Sequence, residues 1–216
     1  MNNINEIYQD IITNCDILLQ LLSPYAATNE TPEGRMIFQC RWLKEQAQAA
    51  NITFPAEFVH PLRHISSEGY LHSLASSPDR YDKEVGIYLY RLIKLSKGEL
   101  LVKKSYYSYA AIYINALIER LENAARPLNK HETKVSNDLH RIKDQLLNKM
   151  IEPPLMSWNG YPNFREVYSM TGSTIDDLPD GKYLCKTVAH LIFEGVRPNS
   201  WVTPEEAEAD CKARGY

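Results

Sequence analysis

Apolar positions recur at alternating steps of three and four through most of this chain, and prolines and glycines punctuate the pattern. The densest case is the stretch 99–126. There Leu100, Tyr107, Ala111, Ile114, Ile118, Leu121 and Ala125 line one helical face, with Lys104 breaking the row once. Tyr106, Tyr109 and Tyr113 form a second row beside the first, so the two together cover more than half of the circumference. Such a helix needs neighbours on two sides. It is expected to be the central post of a single all-α domain of about seven to nine helices.

The other stripes carry their own start and stop signals. Asn3 as cap, with Glu6 three residues on, and the stripe Ile4, Ile7, Ile11, Cys15, Leu18 and Leu22 predict a helix from about Asn3 to Ser23, stopped by Pro24. Thr31-Pro32-Glu33 combines a capping hydroxyl, a proline at the first helical position and an early acid, and Met36, Cys40, Leu43, Ala47 and Ala50 follow as the stripe. Pro55, Pro61 and Gly69 allow only short pieces between 52 and 77, such as Pro61 to Leu74. Ser77-Pro78-Asp79 repeats the start signal, and Val85, Leu89, Leu92 and Leu95 carry the next helix to Lys97-Gly98.

Arg126-Pro127 should end the central helix. Asn129, with Glu132 three residues on, predicts a capping box before the stripe Val135, Leu139, Ile142 and Leu146. After Pro153-Pro154 comes an aromatic, loop-like segment, a short helix near Phe164 to Met170, and a turn-rich linker. A helix from about Gly181 to Glu194 follows, and then a second capping box at Thr203-Pro204-Glu205-Glu206. Strand-like alternation is nearly absent, and no repeat with a period of about 20–50 residues occurs. The expected organisation is a helical core over 1–152 with a C-terminal helical extension over 153–216 packed on it.

Composition narrows the class. With 44% hydrophobic and 24% charged residues in 216, the chain can bury a core, and wholesale disorder is excluded. Nothing at the amino terminus resembles a signal peptide, and no apolar run approaches the roughly 20 residues that span a bilayer. The four cysteines, Cys15, Cys40, Cys185 and Cys211, contain no CxxC pair. The first three sit among apolar residues, as reduced, buried thiols do. A cytoplasmic protein is expected.

The net charge of −3 is unevenly distributed. Lys/Arg against Asp/Glu is 4 to 9 over 1–79, 14 to 8 over 80–151 and 6 to 10 over 152–216, which gives −5, +6 and −4. The basic segment 80–151 is either an anion-binding surface or a set of solvated helix faces.

Several constellations bear on chemistry. His64, Glu68 and His72 fall four apart and would share a helix face suited to a metal if a helix starts at Pro61. The general-base glutamate of an HExxH motif is missing, because Pro61 holds its place after His60. Asp176, Asp177 and Asp180 before Gly181 lack the spacing of a calcium loop and read as a turn with an Asp helix cap. Ser173 and Ser200 have no GxSxG elbow, and there is no phosphate loop or dinucleotide fingerprint, so no cofactor is expected.

Arg126-Pro127-Leu128-Asn129-Lys130-His131 resembles the Arg-x4-His spacing of HEPN-type ribonucleases, which are also helical. In that family the motif lies within a helix that brings both side chains to a dimer cleft, so the resemblance implies a hydrolase. Pro127 departs from that pattern by breaking the helix directly after the arginine.

Two features point toward binding. The chain has 14 tyrosines against 5 phenylalanines, and Tyr106, Tyr109 and Tyr113 cluster. Trp158, Tyr161 and Phe164 crowd one turn-rich loop, where aromatics either pin the loop or contact something outside. The expected function is non-catalytic binding of a protein partner, as in immunity or antitoxin proteins, adaptors and complex subunits, through these six side chains. One alternative is nucleic-acid binding by Lys94, Lys97, Lys103 and Lys104 within 80–151, with tyrosines stacking on bases. A second is a hydrolase, metal-dependent or HEPN-like.

Overall fold

The computed structural model describes residues 2–25, 31–56, 83–169 and 174–216. Its contacts divide the chain into two compact units, Met1–Leu101 and Val102–Tyr216. The 152/153 junction expected from the sequence falls inside the second unit. Among the described residues there are eight α-helices and only two strands, each of two residues. The all-α expectation holds. No described helix is long and apolar enough to cross a membrane.

In the first unit, α1 (Asn2–Leu22) packs against both α2 (Pro32–Gln48) and α3 (Lys83–Ser96). The expected stripes supply the contact. Ile7, Ile11, Cys15, Leu18 and Leu22 are buried with Met36, Cys40 and Leu43, and with Val85, Leu89, Leu92 and Leu95. Ile4, at the amino-terminal end of its stripe, is 49% exposed. Thr31 caps α2 as its hydroxyl accepts the Gly34 N–H at 3.1 Å. Gly98, just past α3, has φ +80°, and a Cβ there would lie 3.2 Å from Phe54 Cβ. A side chain at that turn would be strained twice over. The proposed short helix Pro61–Leu74 and the Ser77 start signal lie outside the described residues.

The second unit is built on α4 (Tyr107–Glu122), which packs against α5 (Lys130–Leu147), α7 (Gly181–Ala189) and α8 (Pro204–Ala213), while α6 (Pro162–Ser169) lies against α5. Twelve residues at the expected beginning and end of the central helix, 99–106 and 123–126, behave differently. Leu100–Leu101 is extended, Lys104–Tyr106 forms a 3-10 turn, and the helix ends at Glu122, with Asn123 as its cap, rather than at Arg126. Leu100, Leu101 and Val102 are buried in succession, which an extended segment allows and a one-sided helical stripe does not. From Tyr107 on, the wide buried arc is as expected: Tyr107, Ala110, Ala111, Tyr113, Ile114, Leu117, Ile118 and Leu121 are all interior.

Asn3 lies inside α1 rather than capping it, whereas the capping boxes expected at Asn129 and Thr203 form. The Asn129 side chain accepts from Glu132 N–H while the Glu132 carboxylate accepts from Asn129 N–H at 2.9 Å, and Thr203 and Glu206 do the same for α8. Asp180 occupies the cap position of α7 in a left-handed conformation (φ 57°), but its side chain makes no capping bond. Gly181 is required for a steric reason, because a Cβ there would meet the Ile175 carbonyl oxygen at 2.0 Å. His190–Glu194 continues α7 with wider, π-type hydrogen bonding, so the expected helix to Glu194 changes its winding over the last five residues.

Candidate functional site

The tyrosine rows of α4 face inward onto Trp201, which is wholly buried. Tyr106 stacks on Trp201 at 6.4 Å, Tyr109 meets it edge-on at 6.2 Å, and Tyr113 tilts against it at 5.4 Å. The polar tips of Tyr106, Tyr113 and Trp201 have partners. The Tyr106 hydroxyl donates to the Val202 carbonyl at 2.7 Å. The Tyr113 hydroxyl (2.7 Å) and Trp201 Nε1 (2.9 Å) both donate to Asp210 Oδ2, while Arg214 Nε donates to Oδ1 at 3.0 Å.

Burial opposes charge on Asp210, yet the bonds from Tyr113, Trp201 and Arg214 together hold its carboxyl below the usual range. Burial first, and then the bond to Asp210, push the Tyr113 hydroxyl well above the ordinary tyrosine value. Arg197, itself buried, lies 4.4 Å over the Tyr106 ring and donates through Nε to the Trp201 carbonyl at 2.7 Å. This arrangement docks α8 onto α4.

The aromatic loop is pinned in the same manner. Trp158 lies flat on Phe193 (3.6 Å, 2°) and stacks on Tyr168 at 5.4 Å. The Tyr161 hydroxyl donates to the Gln145 side-chain carbonyl, and Arg141 lies 4.8 Å over the Tyr161 ring while bonding the Gly160 carbonyl. Asp138 of α5 accepts the Asn163 and Phe164 N–H groups at 3.0 and 3.2 Å, capping α6 from a neighbouring helix. Thus Tyr106, Tyr113, Tyr161 and Phe164 are buried, and Tyr109 and Trp158 are half-buried. The six side chains expected to touch a partner form two internal clusters.

The four lysines are divided between the units. Lys94 is mostly covered, 3.7 Å from Glu99 and 5.4 Å from the Tyr90 ring centre. Lys97 is exposed in the same unit, whereas Lys103 and the exposed Lys104 belong to the other, with Lys104 3.3 Å from Glu152. Arg126 lies in the loop between α4 and α5, where Glu132 grips its guanidinium at 2.6 and 2.8 Å. His131 opens α5 and has Nδ1 3.8 Å from Glu166. The two members of the Arg-x4-His spacing thus sit on different elements and are engaged by different carboxylates. His64, Glu68 and His72 lie outside the described residues. Among the described ones, no three metal-ligating side chains gather.

What the sequence missed is on the other side of α4. Ser108, Ile112, Asn115 and Glu119 form one wall of a groove of about 470 Å³, and Lys143, Leu147 and the Tyr216 ring complete it. Lys143 Nζ donates to Asn115 Oδ1 at 3.1 Å, and Asn115 Nδ2 donates to Glu119 at 2.6 Å, so the polar edge is already ordered. Leu147 is 52% exposed, and Met150, three residues beyond, is 70% exposed. The available signal was an apolar residue off its stripe: Ile112 and Leu147 each sit one position past a buried residue of the same helix.

No protein-family model matches the chain, and no curated protein or solved structure matches it significantly.

Proposed function

We propose that the chain is a non-catalytic, cytoplasmic helical protein that holds a protein partner, in the manner of an immunity or antitoxin protein, an adaptor or a complex subunit. The observation that supports this reading is the outer face of α4 and α5. There Ile112, Leu147 and the Tyr216 ring line a concave strip edged by Asn115, Lys143 and Glu119. Apolar groups gathered in a groove with a polar rim suit the apolar side of a partner helix. Met150, an adaptable thioether left 70% exposed three residues beyond Leu147 in the chain, suits the same role.

The lysines give less support to a phosphate-tracking surface, since Lys94 and Lys104 already face carboxylates. Capture from the native cell, with and without nuclease, decides between the readings. A retained protein that survives nuclease supports partner binding. A salt-sensitive complex with RNA or DNA, lost when the four lysines become Glu, overturns it.

A further inference from the structure

We propose that Cys15 and Cys40 form an oxidisable pair, in which a disulfide staples α1 to α2 when the first unit opens in the presence of a peroxide. Both thiols have zero exposure, and both occupy the contact stripes of two helices that pack on each other. The register across that contact is fixed independently by an ion pair. Lys44 Nζ reaches Asp16 Oδ1 at 2.5 Å. Asp16 is the next residue after Cys15, and Lys44 stands one helical turn beyond Cys40, so its long side chain reaches back to the level of Cys40. Neighbouring Cys40 first, and then burial, push the Cys15 thiol far above the ordinary thiol range. Neither sulfur is bridged.

These facts set both the pairing and the gate. A thiol attacks peroxide only as thiolate, and the closed interface suppresses that form, so the pair is inert until α1 and α2 separate. On opening, one thiolate sulfur attacks a peroxide oxygen. The O–O bond breaks, the sulfur is oxidised to sulfenic acid, and the departing hydroxide leaves as water. The second thiol then displaces the sulfenic oxygen, also as water. An S–S bond forms, each sulfur has given up one electron, and the peroxide has been reduced. Reclosure around the bond constrains the unfolded chain, so the oxidised unit resists unfolding better than the reduced one.

The test treats the unmodified 216-residue chain with hydrogen peroxide, in buffer and in urea below the unfolding transition. Intact mass and peptide mapping follow the products. The expected result is one cross-linked peptide joining Cys15 to Cys40, formed slowly in buffer and faster as urea populates the opening, and a higher denaturation midpoint for the oxidised protein. Sulfinic or sulfonic acid on either residue without a cross-link would overturn the proposal. So would Cys15 joined to Cys185 or Cys211, or no cross-link over the time in which the urea-unfolded chain oxidises fully.

Discussion

The two faces of α4 carry similar side-chain chemistry and do opposite things. On the inner face Tyr106, Tyr113 and the neighbouring Trp201 combine large rings with polar tips, and every tip has an internal partner. On the outer face Ile112 borders a groove together with Leu147 and Tyr216, and Leu147 is half exposed. Aromatic richness therefore does not by itself mark an exposed surface in this chain. A tyrosine whose hydroxyl meets Asp210 contributes to docking α8, whereas Ile112, only partly covered by the core, and the half-exposed Leu147 are the ones left facing outward.

The contrast is sharpest in stability, and the largest effect belongs to the inner face. Trp201→Ala should cost about 3–5 kcal/mol, through lost transfer energy plus a cavity among three tyrosines. Ile114→Ala and Ile118→Ala, in the middle of the buried arc, should cost about 2–5 kcal/mol each by the same mechanism. Chemical denaturation measures all three, and an unchanged midpoint for any of them would show that α4 is not the post of its unit.

Asp210 comes next. Removing its carboxylate leaves the Tyr113 hydroxyl and the Trp201 N–H without acceptors, so Asp210→Ala should cost about 1–3 kcal/mol per orphaned group at most. The same carboxyl predicts a pH effect. Its folded pKa lies below the ordinary value, so the unfolded state binds the proton more readily. Its contribution is complete above about pH 4 and is lost as pH falls through the depressed folded value. Acid titration of unfolding should therefore show a shallower loss in Asp210→Asn than in the unmodified chain. Identical slopes would remove Asp210 from the account.

Much of the fold was legible because its signals are local. Thr31, Asn129 and Thr203 each cap the helix whose start they announce, and apart from Ile4 and Ala50, both exposed, the expected stripes of α1, α2, α3 and α5 are buried. The beginning of the central helix was not legible, since Leu100 fits a helical stripe as well as it fits a buried extended pair. Only tertiary packing distinguishes the two. The site was harder still. Whether a tyrosine turns its hydroxyl to Asp210 or to solvent depends on where residues ninety-odd positions away come to lie, which no spacing reports. Trp201 illustrates this: it is the hub of the inner cluster, yet its sequence neighbours are loop residues.

The smallest stability effects belong to the outer face. Leu147→Asp and Met150→Asp should stay within about 0.5 kcal/mol of the unmodified chain, because Met150 stands mostly in water and Leu147 is half exposed. A large loss of stability would mean that the groove is part of the core.

The most direct test of the central claim, that the outer face of α4 and α5 holds a protein partner, is therefore a paired capture. The unmodified chain and the Leu147→Asp, Met150→Asp double variant serve as baits in extract of the native cell, after their unfolding midpoints are shown to agree. The account predicts a nuclease-resistant protein retained by the first bait and lost from the second. The same protein held equally by both would contradict it.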